Sequence, residues 1–279
     1  MRRPKPAIKA PFQQIHRRLS ARLHNGLHGL PRSTGQRPGN RLSYSVAMPA
    51  GPLTPTAPVT SVAEAIARME AIGGGLPASD GLACFNRMYL AVTQAVGADI
   101  GQGFFADPAF MTTLDVTFAN LYFTGAQAEP AASAMAWRPL VELRGAAGIE
   151  PVQFALAGMN AHINHDLPVA VVSTCTELGT APGDGSHLAD FQKVDALLDA
   201  AEEGIRRSFE SAPELALDRH LQAVDNLVAC WTINSARDLA WQNALVLWEL
   251  RSESLARELF LDGLAAATAL ASRLLLTAV

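Results

Sequence analysis

The sequence predicts an all-α protein, a single globular bundle of about eight helices, and three observations carry that prediction. Helix-start signals recur along the chain. Apolar residues between them repeat at helical rather than alternating spacing, as in Leu82, Phe85, Tyr89 and Val92. No stretch shows the strict alternation of a half-buried strand, and no internal repeat is present.

The elements follow in order. Ser61-Val62-Ala63-Glu64 is a capping box, with a serine to satisfy the Glu64 amide and a carboxylate to reach back. Its helix should run to Gly73-Gly74-Gly75. A second helix spans about Ser79 to Val96, with Gly97 as its stop. Asp107-Pro108 joins an N-cap to a proline at the first helical position and opens a third helix, which carries Phe110, Leu114, Phe118, Leu121 and Tyr122. A short helical piece covers Trp137 to Arg144. Glu150-Pro151 opens the next helix, which reaches at least Leu167 and should bend or end at Pro168, where the ring removes an amide donor. The run GTAPGDGS, Gly179 to Ser186, is a loop. Three further helices are expected over about Leu188–Ser211, Leu221–Arg251 and Glu253–Thr277.

Charge divides the chain. Up to Arg41 there are ten Lys or Arg and no acidic residue, the first being Glu64. Residues 1–58, Arg- and Pro-rich, read as a basic arm, a targeting peptide, or an upstream extension with translation beginning at Met48. Residues 59–279 read as one domain. Without the basic stretch, 12 basic residues face 26 acidic ones, and a body with net charge −14 is a poor match for nucleic acid, which needs a positive surface to displace counterions. The apolar run Leu264–Val279 is interrupted by Arg273 and is too short for a membrane span. Cys84, Cys175 and Cys230 match no disulfide framework or zinc spacing, which points to buried thiols in a reducing, cytoplasmic setting. The sequence leaves a homo-oligomer open.

The chemistry concentrates in Gly158–Pro168, GMNAHINHDLP. At 100° per residue His162, His165 and Asp166 share one stripe, while Asn160 and Asn164 point roughly the other way, toward neighbouring helices. Gly158 gives room for close approach beside the stripe. No Lys/Glu face accompanies these residues, so the helix should be buried and its polar groups organised. In one reading His162 and Asp166, one turn apart, hold a divalent metal (zinc, iron or manganese) with Asp115 as the further ligand and His165 as ligand or proton shuttle. The metal would then activate water as a hydrolase does, on a small-molecule substrate. In a second reading no metal is involved, and Asp166 orients His162 for acid–base chemistry of the lyase, isomerase or cyclase kind. In a third the cluster is a buried polar network in a binding or scaffold protein. A second concentration, NSARDLAW at Asn234–Trp241, offers Arg237 either as an anchor for a substrate carboxylate or phosphate or as an ion-paired packing residue. His187 and Asp190 read as the start of a helix rather than as ligands.

Together FNRMYLAVT, GFFADPAFMTTLDVTFANLYF, AGMNAHINHDLP and the late DLAWQNALVLWEL resemble the helical domain-of-unknown-function family "fifty-nine ninety-five" over about Val62 to Leu250. The resemblance implies that this segment is one unit and that the basic N-terminus lies outside it. It implies no activity.

Overall fold

A computed structural model describes residues 57–126, 129–209 and 233–278, all within one compact unit of the chain. Among them the regular structure is helical: α1 (Val62–Gly75), α2 (Gly81–Gly101), α3 (Pro108–Gly125), α4 (Arg138–Leu143), α5 (Pro151–Ala161), a π-helical turn (His162–Asp166), α6 (Leu167–Leu178), α7 (His187–Phe209), α8 (Ile233–Glu249) and α9 (Ser254–Leu275). The expected all-α class holds. Counting α5, the π turn and α6 as one interrupted rod gives eight helices. The basic N-terminal segment up to residue 56, the first part of the helix expected from Leu221, and Cys230 lie outside the described residues.

The start signals work as their chemistry requires. Ser61 Oγ accepts the Glu64 amide, and the Glu64 carboxylate reaches back to the Thr60 amide at 2.7 Å. Asp107 accepts the Phe110 amide at 2.9 Å ahead of Pro108. Asp80 accepts the Leu82 amide and also meets Arg144 Nε at 2.8 Å, so one buried carboxylate both caps α2 and ties it to the end of α4. The expected stop at Gly97 fails, and α2 continues to Gly101. A lone glycine costs a helix only about 1 kcal/mol, less than the packing of this rod recovers.

The centre of the fold is the rod made by α5, the π turn and α6. It packs on α2 and α9 through α5, and on α3 and α8 through α6. Gly158 permits the first of these approaches, because a Cβ at that position would run into the Phe85 side chain of α2. On the other side Asn160 Nδ2 donates to the Thr268 carbonyl and Ser272 Oγ, both at 2.9 Å, and so binds α5 to α9. The break in the rod falls just before Pro168, not at it. The wider turn closes with the Leu167 amide donating to the His162 carbonyl, and Pro168 sits in the first turn of α6, where an amide is not needed. Cys84 and Cys175 are buried free thiols, as expected, and burial pushes the Cys175 thiol up to about 11. No described helix is long and apolar enough to cross a membrane.

Candidate functional site

The π turn changes where the three polar residues of the motif point. His162 turns inward. Its ring stacks on Phe118 of α3, with centroids 3.4 Å apart and planes 5° from parallel, and lies edge-on to Tyr89 of α2 at 4.4 Å. His162 Nδ1 meets Asp166 Oδ2 at 3.1 Å. Trp137 Nε1 donates to the same oxygen at 2.8 Å, and His165 Nδ1 meets Oδ1 at 2.8 Å. Both Asp166 oxygens are therefore taken by ring nitrogens from three aromatic side chains.

Burial alone would favour a neutral Asp166, but the hydrogen bonds from His162 and His165 outweigh it, and its pKa lies below the ordinary aspartate value. Burial is also the largest influence on His162 and lowers its pKa, against the pull of Asp166. The two directions describe one state, a carboxylate facing a neutral imidazole. In that state Nδ1 carries the proton and donates it to Asp166, which leaves Nε2 with a bare lone pair. Nε2 is buried and has no partner among the described residues.

The ring of His162 lines a cavity of about 80 Å³ enclosed by α2, α3, the central rod, α7 and α8. Most of its wall is apolar, from residues such as Met88, Val92, Leu114, Met159 and Leu198. Asp115 and Arg237 share the wall, so the structure brings His162, Asp115 and Arg237 to one space and leaves Asp166 and His165 behind it. Asp115 Oδ2 is buried without a partner, and burial pushes its carboxyl up to about 7. Tyr89 also lines the cavity, and its hydroxyl interacts with the Thr93 side chain. Burial, and then the nearby Asp115, hold that hydroxyl well above the ordinary tyrosine range, so it is a neutral O–H.

The remaining candidates are bound into the scaffold. Arg237 Nε meets Asp195 Oδ1 at 2.7 Å, its guanidinium lies 4.1 Å over the Phe191 ring, and another of its nitrogens donates to the Phe191 carbonyl. Asn164 donates to Asn160. Asn86 joins the Met69 carbonyl to the Tyr122 hydroxyl, and Arg87 reaches the Ala78 carbonyl. His187 and Asp190 start α7 and hold the loop before α3.

Among the described residues, no group of three or more His, Cys, Asp or Glu side chains is placed to hold a metal ion. His162, Asp166 and Asp115 do not converge as a ligand set: Asp166 serves the three rings around it, while His162 Nε2 and Asp115 Oδ2 remain open. A cation here would need donors from beyond the described residues. Sequence reasoning missed Trp137 and the role of Tyr89. The signal for Trp137 was an indole N–H on a short helix, which needs an acceptor once buried.

A family model described as a family of unknown function (DUF5995) matches residues 62–278, and the chain belongs to that family. No curated protein and no solved structure matches it.

Proposed function

We propose that this member of the family is a metal-independent acid–base enzyme of the lyase, isomerase or cyclase kind, acting on a small molecule held in the apolar cavity. One observation carries the reading: an imidazole fixed on one nitrogen by a buried carboxylate presents its other nitrogen, unpartnered, to a cavity that also holds an unpartnered carboxyl. Each buried polar atom without a protein partner costs about 1–3 kcal/mol, which a hydrogen bond from a bound substrate group would recover.

The chemistry follows from the two protonation states. His162 Nε2 takes a proton from the substrate, and the imidazolium that forms is stabilised by Asp166, which keeps its negative charge. Asp115, its carboxyl pushed up to about 7 by burial, keeps a substantial protonated fraction at neutral pH, and that form gives its proton to a second substrate atom. One proton leaves the substrate and one arrives, so the molecule is isomerised, or eliminates a group that departs with the Asp115 proton. Return of a proton from His162 to Asp115, through product or water, resets the pair. Metal-assisted hydrolysis, the other enzyme reading of the motif, asks Asp166 to bind a cation, whereas three ring nitrogens already occupy it.

The test pairs elemental analysis with proton exchange in D2O, followed for a panel of short ketones and 2-oxo acids. The expected result is exchange that survives EDTA, metal well below one equivalent, and a loss of about 10²–10⁴-fold in His162→Gln, a variant that stays folded. A metal bound at near one equivalent per chain and lost in His162→Ala would overturn the proposal, as would absence of exchange with every compound that binds.

A further inference from the structure

We infer that the cavity selects a neutral molecule, a short apolar body bearing one carbonyl or hydroxyl group, and rejects the corresponding carboxylate. The inference rests on the acid–base reading of the same cavity and names the substrate class for it. Three observations point the same way.

First, the cation in the wall is already neutralised. Arg237 could anchor an anion in one reading of the sequence, but its Nε is held by Asp195 at 2.7 Å and a further nitrogen by the Phe191 carbonyl, while the guanidinium face rests on the Phe191 ring. An incoming carboxylate would compete with Asp195 for a charge that is spoken for.

Second, the open atoms suit a neutral group. Among the described residues Asp115 Oδ2 and His162 Nε2 are buried cavity-wall atoms without partners, and the Tyr89 hydroxyl, which interacts with Thr93, lies in the same wall. A carbonyl oxygen accepts from a protonated Asp115 or from Tyr89, and an adjacent C–H or O–H lies toward the imidazole lone pair. A carboxylate in the same place would meet a bare nitrogen lone pair and, once Asp115 ionises, a second negative charge. Like charges brought together away from water are strongly unfavourable.

Third, the rest of the wall is apolar, with Met, Val, Leu and Phe side chains from several helices. It offers an ion nothing in exchange for its lost hydration. The volume of about 80 Å³ sets the size. One water needs roughly 10–15 Å³ on this scale, so the space suits a body of about five to eight heavy atoms.

The matched probes are 2-hexanone, 1-hexanol and hexanoate, titrated against the full chain by calorimetry at pH 8, with NMR of the His162 ring to place the ligand. The expected result is saturable binding of 2-hexanone or 1-hexanol that perturbs the ring, with hexanoate at least about tenfold weaker. In His162→Gln the neutral probes should bind more weakly, and no gain for hexanoate should appear. Hexanoate binding as tightly as the neutral probes overturns the inference, and so does binding of none of the three. Failure here is separable from failure of the enzyme proposal. Exchange on 2-oxo acids alone would leave the acid–base reading standing and remove the neutral substrate. Binding of 2-hexanone with no exchange on any bound compound would do the reverse.

Discussion

Two histidine–aspartate clusters lie in this molecule, and they differ in one respect. At the start of α7, His187 Nδ1 meets the Ala181 carbonyl at 3.0 Å and Nε2 meets Asp107 at 3.3 Å, with Phe110 stacked on the ring at 4.0 Å. Asp190 beside it accepts from the Ala106 and Asp107 amides, Ser186 Oγ and Lys193 Nζ. Both ring nitrogens and both carboxylate oxygens have protein partners. In the central rod His162 is just as buried and just as tightly stacked, and Asp166 is just as fully engaged. Yet there the outer nitrogen of the imidazole has no partner and borders a cavity. Residue type and burial do not separate a structural cluster from a reactive one. In the proposed reading, the unsatisfied atom beside open space does.

That contrast breaks first at the closed cluster. Asp190→Ala strands two backbone amides, a hydroxyl and an ammonium, and should cost about 3–4 kcal/mol in denaturant unfolding, with any activity of the surviving folded fraction unchanged. Its pKa is held at about 2, the work of the Lys193, backbone and Ser186 hydrogen bonds against burial. The stability it contributes is therefore present above the ordinary aspartate range and is lost as pH falls toward about 2.

Asp115 should show the opposite sign. Folding raises its pKa to about 7, so the fold prefers the protonated form. Stability from this group is fullest below the ordinary carboxyl range, declines as pH climbs from about 4 to about 7, and is level above that. Asp115→Asn removes the decline, and relative to wild type it should gain about 3 kcal/mol more at pH 8 than at pH 4. Equal pH profiles for variant and wild type would mean that this carboxyl ionises freely and is not an acid at neutral pH.

The smallest expected effect sharpens the comparison most. His162→Gln removes a ring whose outer nitrogen bonds nothing, and an amide N–H at that position can still serve Asp166. The lost stacking on Phe118 and edge contact with Tyr89 should lower the unfolding free energy by about 1–2 kcal/mol, less than the loss in Asp190→Ala. A loss of several kcal/mol would place His162 with His187 as a structural residue.

Much of the fold was legible because helix starts are local chemistry. Ser61, Asp107 and Glu150-Pro151 each announce an element within four residues of chain, and the structure puts helices where they stand. The course of α2 past Gly97 was not legible, because its neighbours decide it. The site was half legible. The sequence singles out His162, Asp115 and Arg237, and the cavity gathers all three. A wheel drawn at 100° per residue, however, places Asp166 and His165 on the same face as His162. The three do meet, through Asp166, but of them only His162 lines the cavity. The pairing of Arg237 with Asp195 on another helix left no mark in the sequence either, and it fits the ion-paired packing alternative for that residue.

The most direct test of an open His162 is nitrogen-15 NMR of the histidine side chains at neutral pH. His162 should show a protonated Nδ1 and a bare, acceptor-type Nε2 that shifts when 2-hexanone is added, while the His187 signals stay fixed. A protonated Nε2, or a His162 ring indifferent to every ligand that binds, would contradict the claim that this nitrogen is held open for chemistry.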